Sequence, residues 1–244
     1  MRQTQTRPKP PLRRRLQPDI PAMGAGGVAR ALLEHTPTIT AAGGRITAIS
    51  DSSSTWHDKH GIDPQRVLAT KRAGGSLHEL DKAERVPSEL AIDLVSANIL
   101  VDLGPSQLGE GPRAAASYRR VLARGGAVAT AAKHALATAA DDLLAHGGRS
   151  RLGIHAALGG TGRRLLQDLE YIQRDTRSIA CVGNASTTDL LLAIERGNTL
   201  EQALAKATHR GVLEPDPSAD IDGLDAALKL AIVARIAFGQ DLDP

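Results

Sequence analysis

Short apolar runs alternate with alanine-rich amphipathic stretches along this chain, as strands and helices do in an α/β fold. RITAIS (45–50), AIDLVSA (91–97), GAVAT (126–130), RLGIHAAL (151–158) and SIACVG (178–183) predict strands. Between them, apolar positions recurring near every 3.6 residues predict helices over 27–35, 113–124, 133–146, 162–172, 187–196, 199–210 and 223–238. Gly197 and Gly211 stand where two of these helices should stop, and Thr199 is placed to cap the one between. The segment LQPDIPAM carries Pro18 and Pro21, so a strand there should be short or frayed. The sequence shows no internal repeat.

The 244 residues suffice for one large domain or two modest ones. Aromatics make up only 2% of them, so the core must be aliphatic and the helices closely packed. The formal charge of +3 misleads, because residues 1–19 hold six cations (Arg2, Arg7, Lys9, Arg13, Arg14, Arg15) against Asp19. Removing that surplus of five leaves the rest of the chain at about −2, with no basic face to offer nucleic acid. The tail is proline-rich and has little to bury, which predicts a disordered, solvated extension. No apolar leader core follows it and no run of about 18 apolar residues occurs, so neither export nor a membrane span is expected. Cys181 is the single cysteine; it excludes an internal disulfide and fits a reducing cytoplasm.

Three stretches carry candidate chemistry. In MGAGGVARALLEH (23–35), Gly24, Gly26 and Ala29 form a G-x-G-x-x-A turn into a helix, which lets the amides around Gly27 and Val28 approach a pyrophosphate. RITAISD then ends at Asp51, near where a ribose-binding acid is wanted. These residues alone leave open both a dinucleotide site and an ordinary glycine-rich βα turn. In GGAVATAAKHALA (125–137), a small-residue strand delivers Lys133 just past its carboxyl end, where open α/β sheets place ligands. A lysine at a helix start is opposed by the dipole, yet a solvated surface lysine would also account for it.

The third stretch, GVLEPDPSADIDGLDAALK (211–229), gathers Glu214, Asp216, Asp220, Asp222 and Asp225 ahead of an almost wholly apolar helix. Asp225 and Lys229 fall at i and i+4, on one face of that helix, and a charged pair on a buried helix should face a polar cleft. Pro215 and Pro217 stiffen the segment that bears Glu214. Such acids suit a small cation or an amine, and the lysine suits an anionic or carbonyl group. Dipole-favoured acids at a helix start explain Asp220 and Asp222 but not Glu214 or Lys229. His57 and His60 in WHDKH have a metal-compatible spacing without a cysteine or second acid beside them, and no metal is expected.

ATHRGVLEPDPSADIDGLDAALK resembles the signature of homoserine dehydrogenases through Ala207, Gly211, Glu214, Asp216-Pro217, Asp220, Gly223, Asp225 and Lys229. TAAK (Thr130 to Lys133) is similar to the family's T-A-N-K. VDLGPSQ (101–107) looks like its loop after a sheet strand, and IACVGNASTTDLLL (179–192) like its I-x-G-I-x-N-G-T-x-N segment. The resemblance covers residues 22–240. It implies a tail over 1–19, a Rossmann-like nucleotide-binding domain over 20–135, and an α/β substrate-binding and dimerisation domain over 136–244.

The activity so implied is the NAD(P)-dependent interconversion of aspartate 4-semialdehyde and L-homoserine, on the route to threonine and methionine, by a homodimer. By the same resemblance, Gly24, Gly26, Gly27, Val28, Ala29, Asp51 and Thr130 would hold NAD or NADP. Glu214 and Asp225 would bind the substrate's amino group, with Asp220 and Ser186 beside them, and Lys133 and Lys229 would meet the reacting oxygen. Asp51 favours NAD, and no basic pocket for a 2′-phosphate can be read from Ser52 to Lys59. The chain departs from the family at Ala132, Ala185, Ser186 and Thr188, and His155 and Arg163 near the monovalent-cation loop give no expectation of bound sodium. Catalytic members of the family run on past the point where this sequence stops at Pro244. A divergent or truncated relative that binds nucleotide or amino acid without turnover is therefore the alternative.

Overall fold

Seven strands form one sheet in the computed structural model, which describes residues 18–80, 83–84, 92, 98–106, 109–148, 150–159, 162–180, 182–210, 213 and 218–244. They are β1 (Asp19–Met23), β2 (Arg45–Ser50), β3 (Thr55–His57), β4 (Ala83–Glu84), β5 (Ile99–Asp102), β6 (Ala127–Thr130) and β7 (Leu152–Gly153), in the order β4-β3-β2-β1-β5-β6-β7. From β2 across to β7 the pairing is parallel, while β3 and β4 add an antiparallel edge. The chain works outward from β1 to β4 and then returns to the other flank of β1 at β5. Strand order thus reverses between β1 and β5, where a doubly wound sheet opens a crevice at its carboxyl ends.

Local sequence explains most of these strands. RITAIS is β2 as expected, buried from Ile46 to Ser50 because a parallel strand is covered on both faces. β1 reaches five residues despite Pro21: its register with β2 slips between Ile20 and Pro21, so the nitrogen that cannot donate falls at an irregularity. Of RLGIHAAL only Leu152 and Gly153 pair. SIACVG forms no strand among its described residues, because no neighbouring strand accepts its backbone hydrogen bonds, and Val182 is 76% exposed. AIDLVSA lies outside the described residues apart from the buried Ile92, and the strand in this region is Ile99–Asp102.

The helices are α1 (Gly27–Glu34), α2 (Thr36–Ala41), α3 (Pro64–Arg72), α4 (Gly111–Ala123), α5 (His134–Gly147), α6 (Gly162–Gln167), α7 (Leu169–Asp175), α8 (Ala185–Glu195), α9 (Leu200–His209), α10 (Ser218–Ile221) and α11 (Leu224–Phe238). α2 buries nothing and α3 only Val67 and Leu68, which is why apolar periodicity did not reveal them. The expected helix over 162–172 breaks at Asp168 into α6 and α7. α9 starts as expected at Thr199, whose hydroxyl accepts the Gln202 N–H while the Gln202 side chain returns to the Thr199 N–H.

Aliphatic packing sets these pieces in place. One buried cluster joins Leu100 and Val128 of the sheet to Tyr118, Leu136 and Leu143 and on to Leu228, Ile232 and Ile236 of α11. β7 joins this sheet from beyond residue 135, so sheet and core continue past the domain boundary drawn there. A second cluster gathers Leu33, Ile49, Trp56, Leu68 and Leu77 under β2 and β3. α4 packs against α5 at Gly111, where a Cβ would lie 2.2 Å from Thr138 Oγ1 and 2.8 Å from the His134 carbonyl oxygen. Among the described residues no helix is long and apolar enough to cross a membrane.

Gly111→Ala should therefore destabilise the fold by about 1–3 kcal/mol through overpacking. Urea denaturation checks this by its midpoint at unchanged slope; an unchanged midpoint would mean that α4 and α5 do not approach as described.

Candidate functional site

The carboxyl ends of β1, β5 and β6 are tied together by backbone. The Leu103 N–H donates to the Met23 carbonyl at 2.8 Å, and the Ala131 N–H to the Asp102 carbonyl at 2.9 Å. Gly24 follows β1 with φ +93, and a Cβ there would lie 2.8 Å from the Leu103 carbonyl carbon and oxygen, so conformation and space both require glycine. α1 then begins at Gly27 behind Gly26, whose side offers no cap, while Ala29 is fully buried and Val28 is 56% exposed. Nothing lies within 4 Å of a Cβ built on Gly26. The free N–H groups of this first turn, open to solvent and with no acid among them, fit a pyrophosphate.

A buried polar cluster braces the neighbouring strand ends. Asp102 is 3% exposed; its Oδ1 accepts the Gly104 N–H at 2.9 Å and its Oδ2 the Tyr118 hydroxyl at 2.5 Å. Tyr118 also lies 2.9 Å from Thr130 Oγ1, which accepts the Ala132 N–H at 3.0 Å. Burial first, and the Asp102 charge second, push the phenol well above its ordinary pKa, so it remains a donor. Asp102 and Thr130 face one another across β5 and β6, and the cluster thereby fixes the loops that follow both strands. From those loops Ser106 Oγ accepts the Lys133 N–H at 2.8 Å. Thr130, expected as a cofactor contact, is 2% exposed and turns its hydroxyl inward to Tyr118.

Around Asp225 the remaining candidates converge. Lys133 Nζ lies 3.0 Å from its Oδ1, and Lys229 Nζ 2.7 Å from its Oδ2. Asn184 Nδ2 donates to Asp225 Oδ2 and to Asp220 Oδ1, each at 2.7 Å. Lys229 also donates to the Gly183 carbonyl at 2.8 Å. Burial would raise the Asp225 pKa, but hydrogen bonds from Lys229 and Lys133 outweigh it and hold the carboxyl below the usual range. Local geometry explains each arrival: Gly223 at φ 80 starts α11 with Asp225 in its first turn, and Asn184 caps α8 by accepting the Thr187 N–H at 2.7 Å.

Ser186 is half-buried in the first turn of α8, two residues past Asn184. Glu214 and Gly211 lie outside the described residues. Asp51 lies apart from the Asp225 cluster at the end of β2, its carboxylate turned toward Lys71 at 2.8 Å. Asn184, Ser106, Asp102 and Tyr118 are site residues that sequence reasoning missed. Asn184 had a local signal, an Asn before a helix start, and Asp102 and Ser106 lie in the quoted VDLGPSQ without having been singled out; Tyr118 had no signal.

Comparison with known proteins now bears on this arrangement. The profile of the homoserine dehydrogenase family matches residues 164–244. Over 229 residues the chain is 29% identical to the homoserine dehydrogenase of Pyrococcus horikoshii, spanning 91% of this chain and 70% of that protein. Over 202 residues it is 28% identical to that of Methanocaldococcus jannaschii, spanning 81% and 60% respectively. A solved hyperthermophilic archaeal homoserine dehydrogenase in complex with NADPH superposes with a TM-score of 0.68 at 27% identity, covering 93% of this chain and 71% of that one. In sequence and in fold the chain is similar to homoserine dehydrogenases.

Homoserine dehydrogenases are NAD(P)-dependent oxidoreductases acting on CH–OH groups, and the sheet described above is the Rossmann-like part of that fold. The matched profile region contains Asn184, Asp220, Asp225 and Lys229, while the glycine turn and Lys133 precede it. Where the homoserine dehydrogenase pattern has the asparagine of T-A-N-K, Ala132 is wholly buried. Thr188, in place of the pattern's last asparagine, bonds back to the Asn184 carbonyl at 2.7 Å.

Two outcomes are expected. Tyr118→Phe removes the donor to a buried carboxylate and should cost about 1.5–3 kcal/mol in denaturant melts. Because the folded state lowers the Asp225 pKa, its contribution to stability is complete above the ordinary carboxylate pKa of about 3.9 and is lost as pH falls through the lowered value. Thermal melts should show Asp225→Asn less stable than the parent at pH 7 and with a shallower decline below about pH 4.

Proposed function

We propose that this chain interconverts aspartate 4-semialdehyde and L-homoserine with NAD or NADP, in a reducing cytoplasm. The observation that carries the reading is one carboxylate, Asp225, held between two lysine ammoniums and the Asn184 amide. Glu214 and Asp225 are the acceptors for the substrate's ammonium group, with Asp220 and Ser186 beside them. Lys133 and Lys229 each bind a different oxygen of the same carboxylate, which puts both ammoniums beside the group that would hold the substrate.

In the reducing direction one lysine gives its proton to the carbonyl oxygen, and in the oxidising direction it takes the hydroxyl proton back. The nicotinamide cofactor, when bound, supplies or accepts the hydride. Gly24, Gly26, Gly27, Val28 and Ala29 hold its pyrophosphate, and the braced ends of β5 and β6 shape the wall of its crevice. Residues 20–135 serve the nucleotide and residues 136–244 the substrate. Leu191, Leu192 and Ile194 are 57%, 43% and 40% exposed on α8, and these exposed apolar side chains support a homodimer.

Reduction of NAD and of NADP with L-homoserine, run beside Lys133→Ala and Lys229→Ala, tests the activity. Turnover in the parent should fall at least 100-fold in either variant, about 2.7 kcal/mol of barrier. A folded parent without turnover would instead favour a relative that binds nucleotide or amino acid only, for which Ala132 and Ala185 are the supporting substitutions. Sedimentation should give a dimer that Leu191→Asp weakens.

A further inference from the structure

A ribose-reading acid needs free lone pairs, and Asp51 has none. Its Oδ1 accepts the Ser53 N–H at 2.9 Å, the Ser53 hydroxyl at 2.6 Å and the Ser54 N–H at 3.1 Å. Its Oδ2 accepts Lys71 Nζ at 2.8 Å, the Leu77 N–H at 3.0 Å and the Ser76 hydroxyl at 3.4 Å. Six donors thus meet a carboxylate that offers about four lone-pair sites. The side chain is only 9% exposed. Burial opposes its charge, yet Lys71, Ser53 and the Leu77 N–H together hold it ionised far below the usual carboxylate range.

Each of these bonds has a structural purpose. Through Oδ1, Asp51 closes the tight β2–β3 turn as an Asx-turn, while its own N–H donates to the Ser54 carbonyl at 3.0 Å. Through Oδ2 it caps the 3₁₀ turn Leu77–Glu79 and secures the end of α3, since Lys71 also donates to the Gly75 carbonyl at 3.2 Å. Asp51 thus ties the β2–β3 turn, the end of α3 and the 3₁₀ turn together.

Building on the dinucleotide reading above, we infer that Asp51 anchors the β2–β3 turn rather than reading the ribose, and that the cofactor site consequently does not reject a 2′-phosphate. A ribose-binding acid selects NAD through its hydrogen bonds to the diol and its repulsion of the phosphate. Here the lone pairs are filled and the charge is cancelled by Lys71, itself 17% exposed. The residues exposed at the turn, Ser52 and Ser53, are uncharged.

Calorimetric titration of the parent and of Asp51→Asn with 5′-AMP and with 2′,5′-ADP tests this, independently of turnover. The parent should bind 2′,5′-ADP at least as tightly as 5′-AMP. In Asp51→Asn the ratio of the two affinities should stay within threefold while the melting temperature falls by at least 5 °C. A parent that prefers 5′-AMP more than tenfold overturns the inference, as does a variant whose ratio moves more than tenfold toward 2′,5′-ADP. Should the variant not fold, the anchor role is supported and the parent's ratio alone decides the selectivity. Should neither nucleotide bind, the dinucleotide reading falls and with it the selectivity claim, and an unchanged melting temperature in Asp51→Asn would remove the anchor role as well.

Discussion

A carboxylate withdrawn from water must be compensated by partners that reach it, and Asp225 draws its partners from three separate parts of the chain. Lys133 comes from the end of β6, Asn184 from the start of α8, and Lys229 from one turn along α11. Removing one partner of such a group costs far more than the pair contributes net, because the remaining charge is left uncompensated. The helices beyond β7 are therefore held against the sheet by electrostatics at the same place where aliphatic packing of α11 on α5 holds them by area. Stability and proposed chemistry share the same atoms.

That arrangement works only if Lys133 is delivered in a fixed direction. Its loop is shaped by buried polar bonds that do not touch any candidate substrate group: Tyr118 to Asp102, Tyr118 to Thr130, Thr130 to Ala132, and Ser106 to Lys133. A satisfied polar network inside an aliphatic core is rigid because any displacement leaves a donor or acceptor unpaired. On the other flank, Gly24 against Leu103 brings the β1 turn close to the β5 loop. The crevice is thus bounded on both sides by contacts that tolerate little change.

Much of this was readable from local pattern. RITAIS, the α1 turn, the GAVAT strand leading to Lys133, the Thr199 cap and the apolar run of α11 all have short-range causes, so the structure and the reading coincide there. The departures have causes as definite. SIACVG has the composition of a strand but no pairing partner. Asp51 has the position of a ribose acid, yet hydrogen-bond donors from α3 and the 3₁₀ turn, some 20 to 26 residues further on, reach it first.

The amino-acid sequence by itself determined the alternating α/β character, the glycine turn into α1, and the placing of Asp225 and Lys229 on one face of α11. These depend on residue type at fixed spacing along one strand or helix, where backbone geometry dictates what faces what. Tertiary structure alone decided that Asn184 bridges two carboxylates, that Tyr118 braces the strand ends, and that Asp51 is filled by its neighbours. Each of those outcomes requires knowing which donors arrive from distant segments, and hydrogen bonds form with whatever the packing brings within about 3 Å, not with what the spacing suggests.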